Sequence, residues 1–271
     1  MVYWTEQNIN YLKDNFLSKT HLEMANVLGT TEGAVKTRCS QLKLRKKNQY
    51  YTNETYFDTW SHDMAYILGY IMADGYVRYR ADISVYSLSF CLSNNDVDFL
   101  HFANSQICNN KSIYNCIGCA NNKISSVQYN SKHMMDRLGE LGVINRKTGH
   151  ETMKFVPDEW KLDFVRGYFD GDGSISFGKN TSTFSCFICS ASLDIITELR
   201  DFFGFGNITK PHEYENTVYK IPFYRWSVQK KSELEVFRNS LYQTGSFCLD
   251  RKKSRLFEVD TNYNYRRKAV C

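Results

Sequence analysis

The chain has 271 residues, of which 23% are charged and 15% aromatic, and its formal net charge is +5. This length predicts about two domains with a sizeable core, and the composition is that of a folded protein. The longest apolar run, Met64–Ala73, is too short for a membrane span, and no stretch resembles a secretion signal. We therefore expect an intracellular protein with no membrane partner, and a charge that permits nucleic-acid binding without requiring it.

The first 48 residues read as three short helices. Thr5 and Thr31 are typical N-caps, and a Gly-containing turn precedes the third helix, as in a helix-turn-helix. The stretch Ala25–Arg38 resembles the helix-turn-helix of Myb-like DNA-binding domains, whereas a helical protein-binding module is the alternative. The side chains expected to contact DNA here are Lys36, Thr37, Arg38, Gln41, Arg45, Lys46 and Lys47. Residues 49–60 then read as a basic linker.

The rest of the chain contains an internal repeat. The segment Ala65–Val77 matches Asp163–Ile175, and weaker similarity continues after both segments. Each copy reads as helix, two strands, helix, two strands and helix. The pattern predicts an α+β fold with two similar halves, residues 61–154 and 155–271, each with an antiparallel sheet.

Small residues recur at helical spacing in the first helix of each copy. Gly69 and Ala73 are four residues apart, as are Gly167 and Gly171, so each pair lies on one helix face. Small side chains let two helix backbones approach closely. We expect these two helices to pack against each other along these faces.

An acidic residue follows each small-residue face. If the helices pair, Asp74 and Asp172 emerge together at their C-terminal ends, and Gly75 and Gly173 follow in the place of left-handed caps. Two carboxylates at the negative ends of two helix dipoles repel each other, and a divalent cation such as Mg²⁺ resolves the conflict. The residues thus predict metal-dependent phosphodiester hydrolysis. Two simple Asp-Gly turns are the alternative, which the repetition disfavours.

The segments Leu68–Gly75 and Val165–Gly173 resemble the two motifs of the LAGLIDADG homing endonucleases. The resemblance covers about residues 61–256. It implies a monomer whose two sheets form a saddle over double-stranded DNA, and Mg²⁺-dependent cleavage of both strands with short 3′ overhangs. Mn²⁺ or Ca²⁺ would substitute for Mg²⁺ in binding. The metal-binding residues that it implies are Asp74 and Asp172, with Gly75 and Gly173 beside them.

The resemblance implies three further catalytic residues. Lys147 and Lys252 occupy the positions of basic residues near the scissile phosphates, although they could equally be plain surface lysines. Asn94 fits the position of a polar residue that supports metal-bound water. In the second copy Ser190 and Ala191 fit that position less well.

Alternation along the strands predicts which side chains read DNA in a groove. In the first half they are Arg78, Arg80, Ser84 and Tyr86. In the second half they are Lys179, Tyr219, Lys220, Arg225, Ser227, Gln229 and Lys231.

Two Cys-x-x-Cys pairs, Cys116/Cys119 and Cys186/Cys189, raise the question of zinc, but buried apolar thiols are the favoured interpretation. The sequence as a whole favours a site-specific endonuclease encoded by a mobile element, in a bacterial or phage-host cytoplasm or in an organelle. Two alternatives stay open. One is a transcription regulator that no longer cuts, and the other is a maturase that binds intron RNA.

Overall fold

The structure, a computed structural model, describes residues 4–44, 51–109, 111–118, 121–177, 184–210, 223–245 and 247–268. The chain divides into two compact units, Met1–Gln49 and Tyr50–Cys271. No helix in the described ranges is long and apolar enough to cross a membrane.

The first unit contains three helices around a small core. They are α1 (Glu6–Asn15), α2 (His21–Val27) and α3 (Glu32–Gln41). The side chains of three threonines cap their N-termini, and Thr20 forms a reciprocal capping box with Glu23. Gly29 has a φ of 62° in the turn between α2 and α3. Leu12, Met24 and Val35 are fully buried and form the centre of the core.

The second unit contains two four-stranded antiparallel sheets and one short strand pair. The first sheet has the order β2-β3-β6-β5 and the second has the order β7-β8-β10-β9. The pair consists of β1 (Tyr51–Thr52) and β4 (Cys108–Asn109). The first sheet contains β2 (Tyr76–Arg80), β3 (Val85–Ser93), β5 (Tyr114–Ile117) and β6 (Lys123–Asn130). The second contains β7 (Gly173–Phe177), β8 (Phe184–Ser190), β9 (Asn207–Thr209) and β10 (Tyr224–Val228).

Seven helices accompany these strands in the described part of the second unit. With the first sheet are α4 (His62–Asp74), α5 (Val97–Ile107) and α6 (Lys132–Glu140). With the second are α7 (Lys161–Asp172), α8 (Leu193–Phe203), α9 (Lys231–Leu241) and α10 (Asp250–Lys268). Each sheet buries one face, where side chains such as Phe90 and Ile188 are fully covered, and leaves its other face uncovered by these helices.

Helices α4 and α7 pack against each other along their small-residue faces, as the spacing predicts. A Cβ atom on Gly69 would overlap the backbone carbonyl of Phe164, and one on Gly167 would overlap that of Tyr66. Only glycine therefore permits this backbone approach.

Residues 51–60 do not form a linker, which corrects that expectation. Tyr51 and Thr52 pair with β4, and Phe57 is fully buried in the core of the second unit. Burial of apolar side chains, which the charge-based interpretation overlooked, fixes this segment to the unit.

Candidate functional site

The C-terminal ends of α4 and α7 bring the two motif carboxylates together. Each helix ends at its predicted aspartate, Asp74 or Asp172. A Cβ atom added to Gly171 would lie 3.4 Å from Asp74 Oδ2, so the Asp74 carboxylate lies against the last turn of α7. Both aspartate side chains reach solvent. The spacing of the small residues thus places both acids at one point of the surface.

The environment of this pair favours protonated carboxyls. Removal of water by neighbouring protein atoms, and then the charge of Asp74, raises the pKa of Asp172 to about 7. Desolvation also raises the pKa of Asp74, although Lys147 and Lys252 oppose that change. Two carboxylates in such a place gain from a cation that lets both ionise.

A lysine reaches the end of each motif helix. Lys147 Nζ donates to the carbonyl of Ala73 at 2.6 Å. Lys252 is 8% exposed, and its Nζ contacts the carbonyls of Gly171 and Gly173. Burial lowers the pKa of both lysines, and nearby carboxylates oppose this. Neither lysine is a free surface residue, because each binds the carbonyl of the residue before a motif aspartate.

The glycines after the aspartates have ordinary backbone angles, which corrects the expectation of left-handed caps. The φ of Gly75 is −72° and that of Gly173 is −69°. Their requirement is steric instead, because a Cβ on Gly75 would lie 2.7 Å from the carbonyl oxygen of Ile71 and one on Gly173 would overlap the Phe169 ring. The Gly173 carbonyl accepts a hydrogen bond from Lys252.

Two acidic residues that the sequence analysis missed lie near the pair. The charge of Glu151 acts on both Lys147 and Asp172, and its Oε2 accepts from Gly149 N at 2.8 Å. Asp96 forms a two-point ion pair with Arg251, with a 2.7 Å contact from Nη2 to Oδ2. No spacing rule connects these residues to the motifs, because folding brings them from distant parts of the chain.

A third missed acid, Asp170, positions the start of α10. Its carboxylate is fully buried and accepts hydrogen bonds from Tyr66 Oη at 2.8 Å and Leu249 N at 2.7 Å. Burial raises its pKa to about 6. Leu249 immediately precedes α10, the helix that carries Lys252, so Asp170 helps to place that lysine.

Asn94 is engaged by another side chain, and its role beside metal-bound water stays a prediction. It follows β3, and its Oδ1 accepts a hydrogen bond from Ser125 Oγ at 2.5 Å. The β2–β3 pairing begins at Tyr76 with Ser89, so Asn94 lies five residues further along the chain than the partner of Tyr76.

The uncovered face of the first sheet, which we name the first open face, follows from strand register. Its residues are Tyr76, Arg78, Arg80, Val85, Ser87, Ser89, Cys91, Ser93, Tyr114, Cys116, Ile124, Ser126, Gln128 and Asn130. Arg78 and Arg80 lie on this face, but Arg80 is paired with Asp82 at 2.7 Å. The expected alternation is wrong at Tyr86, which lies on the core face beside Tyr79. The reason is Ser84, which has a φ of 52° in the turn before β3 and is not a strand residue.

The second open face comprises a similar set. Its residues are Ser174, Ser176, Ser185, Phe187, Cys189, Asn207, Thr209, Arg225 and Ser227. Arg225 lies over the Phe187 ring at 3.5 Å and donates to Ser185 Oγ at 3.0 Å. Ser227 shares this face but is 3% exposed, so its hydroxyl is not available at the surface. Neither open face contains an Asp or Glu residue, which suits a polyanionic partner.

The other predicted side chains of the second half fall elsewhere. Gln229 is exposed just after β10. Lys231 is the first residue of α9 and is therefore not a strand residue. Its Nζ lies 3.9 Å from Glu235 Oε1. Lys179, Tyr219 and Lys220 lie outside the described residues.

In the first unit, Lys36, Thr37 and Gln41 are exposed on α3. Arg38 is half-buried, and its Cζ atom lies 5.9 Å from the centre of the Trp4 ring. Its Nη1 donates a hydrogen bond to Gln41 Oε1 at 3.0 Å. Arg45, Lys46 and Lys47 lie outside the described residues.

The cysteine pairs divide between the two faces of their sheets. Cys186 is fully buried on the core face, whereas Cys189 lies on the second open face, so the two thiols point apart. Cys116 is exposed on the first open face and not buried as expected, and Cys119 lies outside the described residues. Within the described ranges, no three or more His, Cys, Asp or Glu residues form a group that could hold a metal ion.

Comparison with solved structures defines the class of fold. The chain is similar to the LAGLIDADG homing endonuclease I-GzeII in complex with its DNA target, with a TM-score of 0.50 and 12% identity over 78% of this chain and 92% of that chain. It is also similar to the LAGLIDADG homing endonuclease I-LtrWI bound to target DNA, with a TM-score of 0.50 and 11% identity over 80% and 92% of the two chains. No protein-family model and no curated sequence matches it. The chain therefore shares the LAGLIDADG endonuclease fold.

Proposed function

We propose that this protein is a site-specific endonuclease that cleaves both strands of DNA with a divalent cation, Mg²⁺ being the expected one. The observation that carries the proposal is the meeting of Asp74 and Asp172 at the ends of two helices that only glycine allows to pack so closely. Two neighbouring carboxylates with raised pKa values, with a lysine at the end of each motif helix, are the arrangement expected of a functional centre. We infer that the two sheet-bearing halves arose by duplication, and that the protein acts as a monomer.

The donor set of the centre fits a hard divalent cation. The Asp74 and Asp172 carboxylates would hold it, and Mg²⁺ commonly keeps waters and binds phosphate oxygens beside one or two protein carboxylates. A bound cation would activate water and stabilise the leaving oxygen of a phosphodiester. In this mode of binding, substrate and water would complete the coordination.

The chain's own residues supply charge and position. Lys147 and Lys252 hold ammonium groups beside the two carboxylates, where they can attract a phosphate and stabilise charge that develops on it. Glu151 and the Asp96–Arg251 pair fix the surroundings of these groups. Asp170 and Glu151 act through other residues, so we regard them as positioning residues.

The open faces and the first unit would supply binding and specificity. The open faces offer hydroxyls, amides, aromatic rings and arginines without acids, which is the chemistry of a groove-reading surface. The exposed residues Lys36, Thr37 and Gln41 would make α3 the recognition helix of a helix-turn-helix. Two binding modules on one chain raise the overall affinity through effective concentration.

Cleavage of a random DNA pool tests the proposal. Purified full-length protein is incubated with linear DNA containing random segments, with Mg²⁺ or with EDTA, and new double-strand ends are captured by adapter ligation and sequenced. We expect ends at one enriched sequence, only with Mg²⁺, and none with Asp74→Asn or Asp172→Asn. Asp98→Asn, an exposed acid on α5, is the matched control and should cut normally.

The alternatives predict different outcomes. A regulator would select a DNA sequence in a binding experiment but produce no ends with Mg²⁺. A maturase would promote splicing of an intron RNA, and this activity would survive both aspartate substitutions. Absence of ends together with either of these results would overturn the endonuclease proposal.

A further inference from the structure

The first open face carries a polar patch that its charge alone does not explain. Strand register aligns Arg78, Ser87 and Asn130 in one row across β2, β3 and β6. The next row contains Tyr76, Ser89 and Gln128. No residue of either row is acidic, so the patch can approach a polyanion closely.

Three side chains of this patch are available to a partner. Arg78, Gln128 and Asn130 are exposed, whereas Ser87 is 4% exposed and lies beneath them. Gln128 Nε2 donates to Asn130 Oδ1 at 2.7 Å. This hydrogen bond holds the two amides together, and each amide retains a further donor and acceptor. Arg80 is less available, because both Asp82 oxygens accept from its guanidinium at 2.9 and 2.7 Å.

These groups match particular base edges. An Asn or Gln amide forms two hydrogen bonds with the N6 and N7 atoms of adenine, and an arginine does so with O6 and N7 of guanine. We propose that Gln128 and Asn130 each read an adenine, and that Arg78 reads a guanine, in the half-site under the first sheet. The inference rests on the proposed function and narrows its substrate to a half-site with A·T pairs under Gln128 and Asn130 and a G·C pair under Arg78.

Strand geometry also sets the spacing of these contacts. Residues two apart on one strand face are separated by about 7 Å, which is about two base-pair steps. Tyr76, two residues after Asp74, lies in the Gln128 row, and Arg78, two residues further along β2, lies in the Asn130 row. The adenine read by Gln128 should therefore lie nearer to the cleavage point, by about two base pairs, than the one read by Asn130.

Competition binding to variants of the enriched target tests this assignment. All four bases are placed in turn at each position, and full-length wild type is compared with Q128A, N130A and R78A in Ca²⁺ buffer. Each substitution should remove about 5- to 150-fold of discrimination at one base pair and leave the other positions unchanged. Gln106→Ala is the control, because Gln106 carries the same amide on α5, which packs on the core face.

Several results would overturn the inference. Unchanged preferences in Q128A and N130A would refute it while the endonuclease proposal stands. Lost discrimination at a G·C pair in Q128A or N130A, or at positions in the order opposite to that expected, would refute the base assignment. Failure of the wild type to select any DNA sequence would overturn both the inference and the proposed function. Thermal melting of each variant, which should match the wild type because these side chains are exposed, shows whether the fold is intact.

Discussion

Asp172→Asn should stabilise the cation-free protein at alkaline pH. Burial, and then the charge of Asp74, raises the pKa of Asp172 to about 7 in the folded state. The pKa of an aspartate in an unfolded chain is about 3.9, so the folded protein binds the proton more tightly. The stability that comes with protonation is complete below about pH 4 and is lost as the pH rises through about 7. An asparagine has no charge and does not undergo this loss.

The size of the effect follows from the shift and the exposure. A rise of about three pKa units corresponds to about 4 kcal/mol at high pH. The Asp172 side chain reaches solvent, and water screens part of its interaction with Asp74. We therefore expect a gain of about 1–2 kcal/mol in the free energy of unfolding at about pH 8, and almost none at about pH 3.5.

Urea unfolding in EDTA, followed by tryptophan fluorescence, measures this difference. Asp98→Asn is the control and should change the unfolding free energy by less than about 0.5 kcal/mol at either pH. Millimolar Mg²⁺ should reduce the advantage of Asp172→Asn, because a ligand of the folded state stabilises the wild type. An Asp172→Asn variant no more stable than the wild type at the higher pH would refute the electrostatic reasoning.

Three further substitutions test other parts of the structure. Gly69→Ala should lower the free energy of unfolding in urea by about 3 kcal/mol or more, because the new Cβ overlaps a backbone carbonyl of α7. The control, Gly139→Ala in α6, meets no neighbour and should raise that free energy by about 0.5–1 kcal/mol. Equal effects of the two substitutions would contradict the close packing of α4 and α7. Arg251→Met should cost about 1 kcal/mol, since its acidic partner is largely buried, and an unchanged urea midpoint would show that the ion pair is unimportant. Lys36→Ala should reduce the slope of log affinity for DNA against log salt concentration by about 1. The control, Lys13→Ala, removes another exposed lysine and should leave the slope unchanged. Equal slopes in the two variants would count against DNA contact by α3.

The helix pair and its acids were predictable because their signals are local. Small residues four positions apart define one face of a helix, and an Asp-Gly pair marks its end. The structure places Gly69 and Gly167 in the close contact expected, and ends both helices at the motif aspartates. The order of helices and strands likewise follows from periodicity within short segments.

Features that depend on strand phase or on distant contacts were not predictable. Ser84 has a φ of 52° and lies in the turn before β3, so Ser84 and Tyr86 do not share a strand face as expected, and Tyr86 lies on the core face. Glu151 and Asp96, the partner of Arg251, reach the centre only through tertiary packing. Their roles become visible once the positions of Lys147 and Lys252 are known.

The central claim is that Asp74 and Asp172 form one centre that hydrolyses DNA. The most direct measurement is single-turnover cleavage of each strand of the enriched target by wild type, Asp74→Asn and Asp172→Asn in Mg²⁺, with affinity measured in parallel in Ca²⁺. The account predicts that either substitution slows cleavage of both strands by at least about 100-fold while the protein still binds the target. Cleavage of both strands at the wild-type rate by either variant would contradict it.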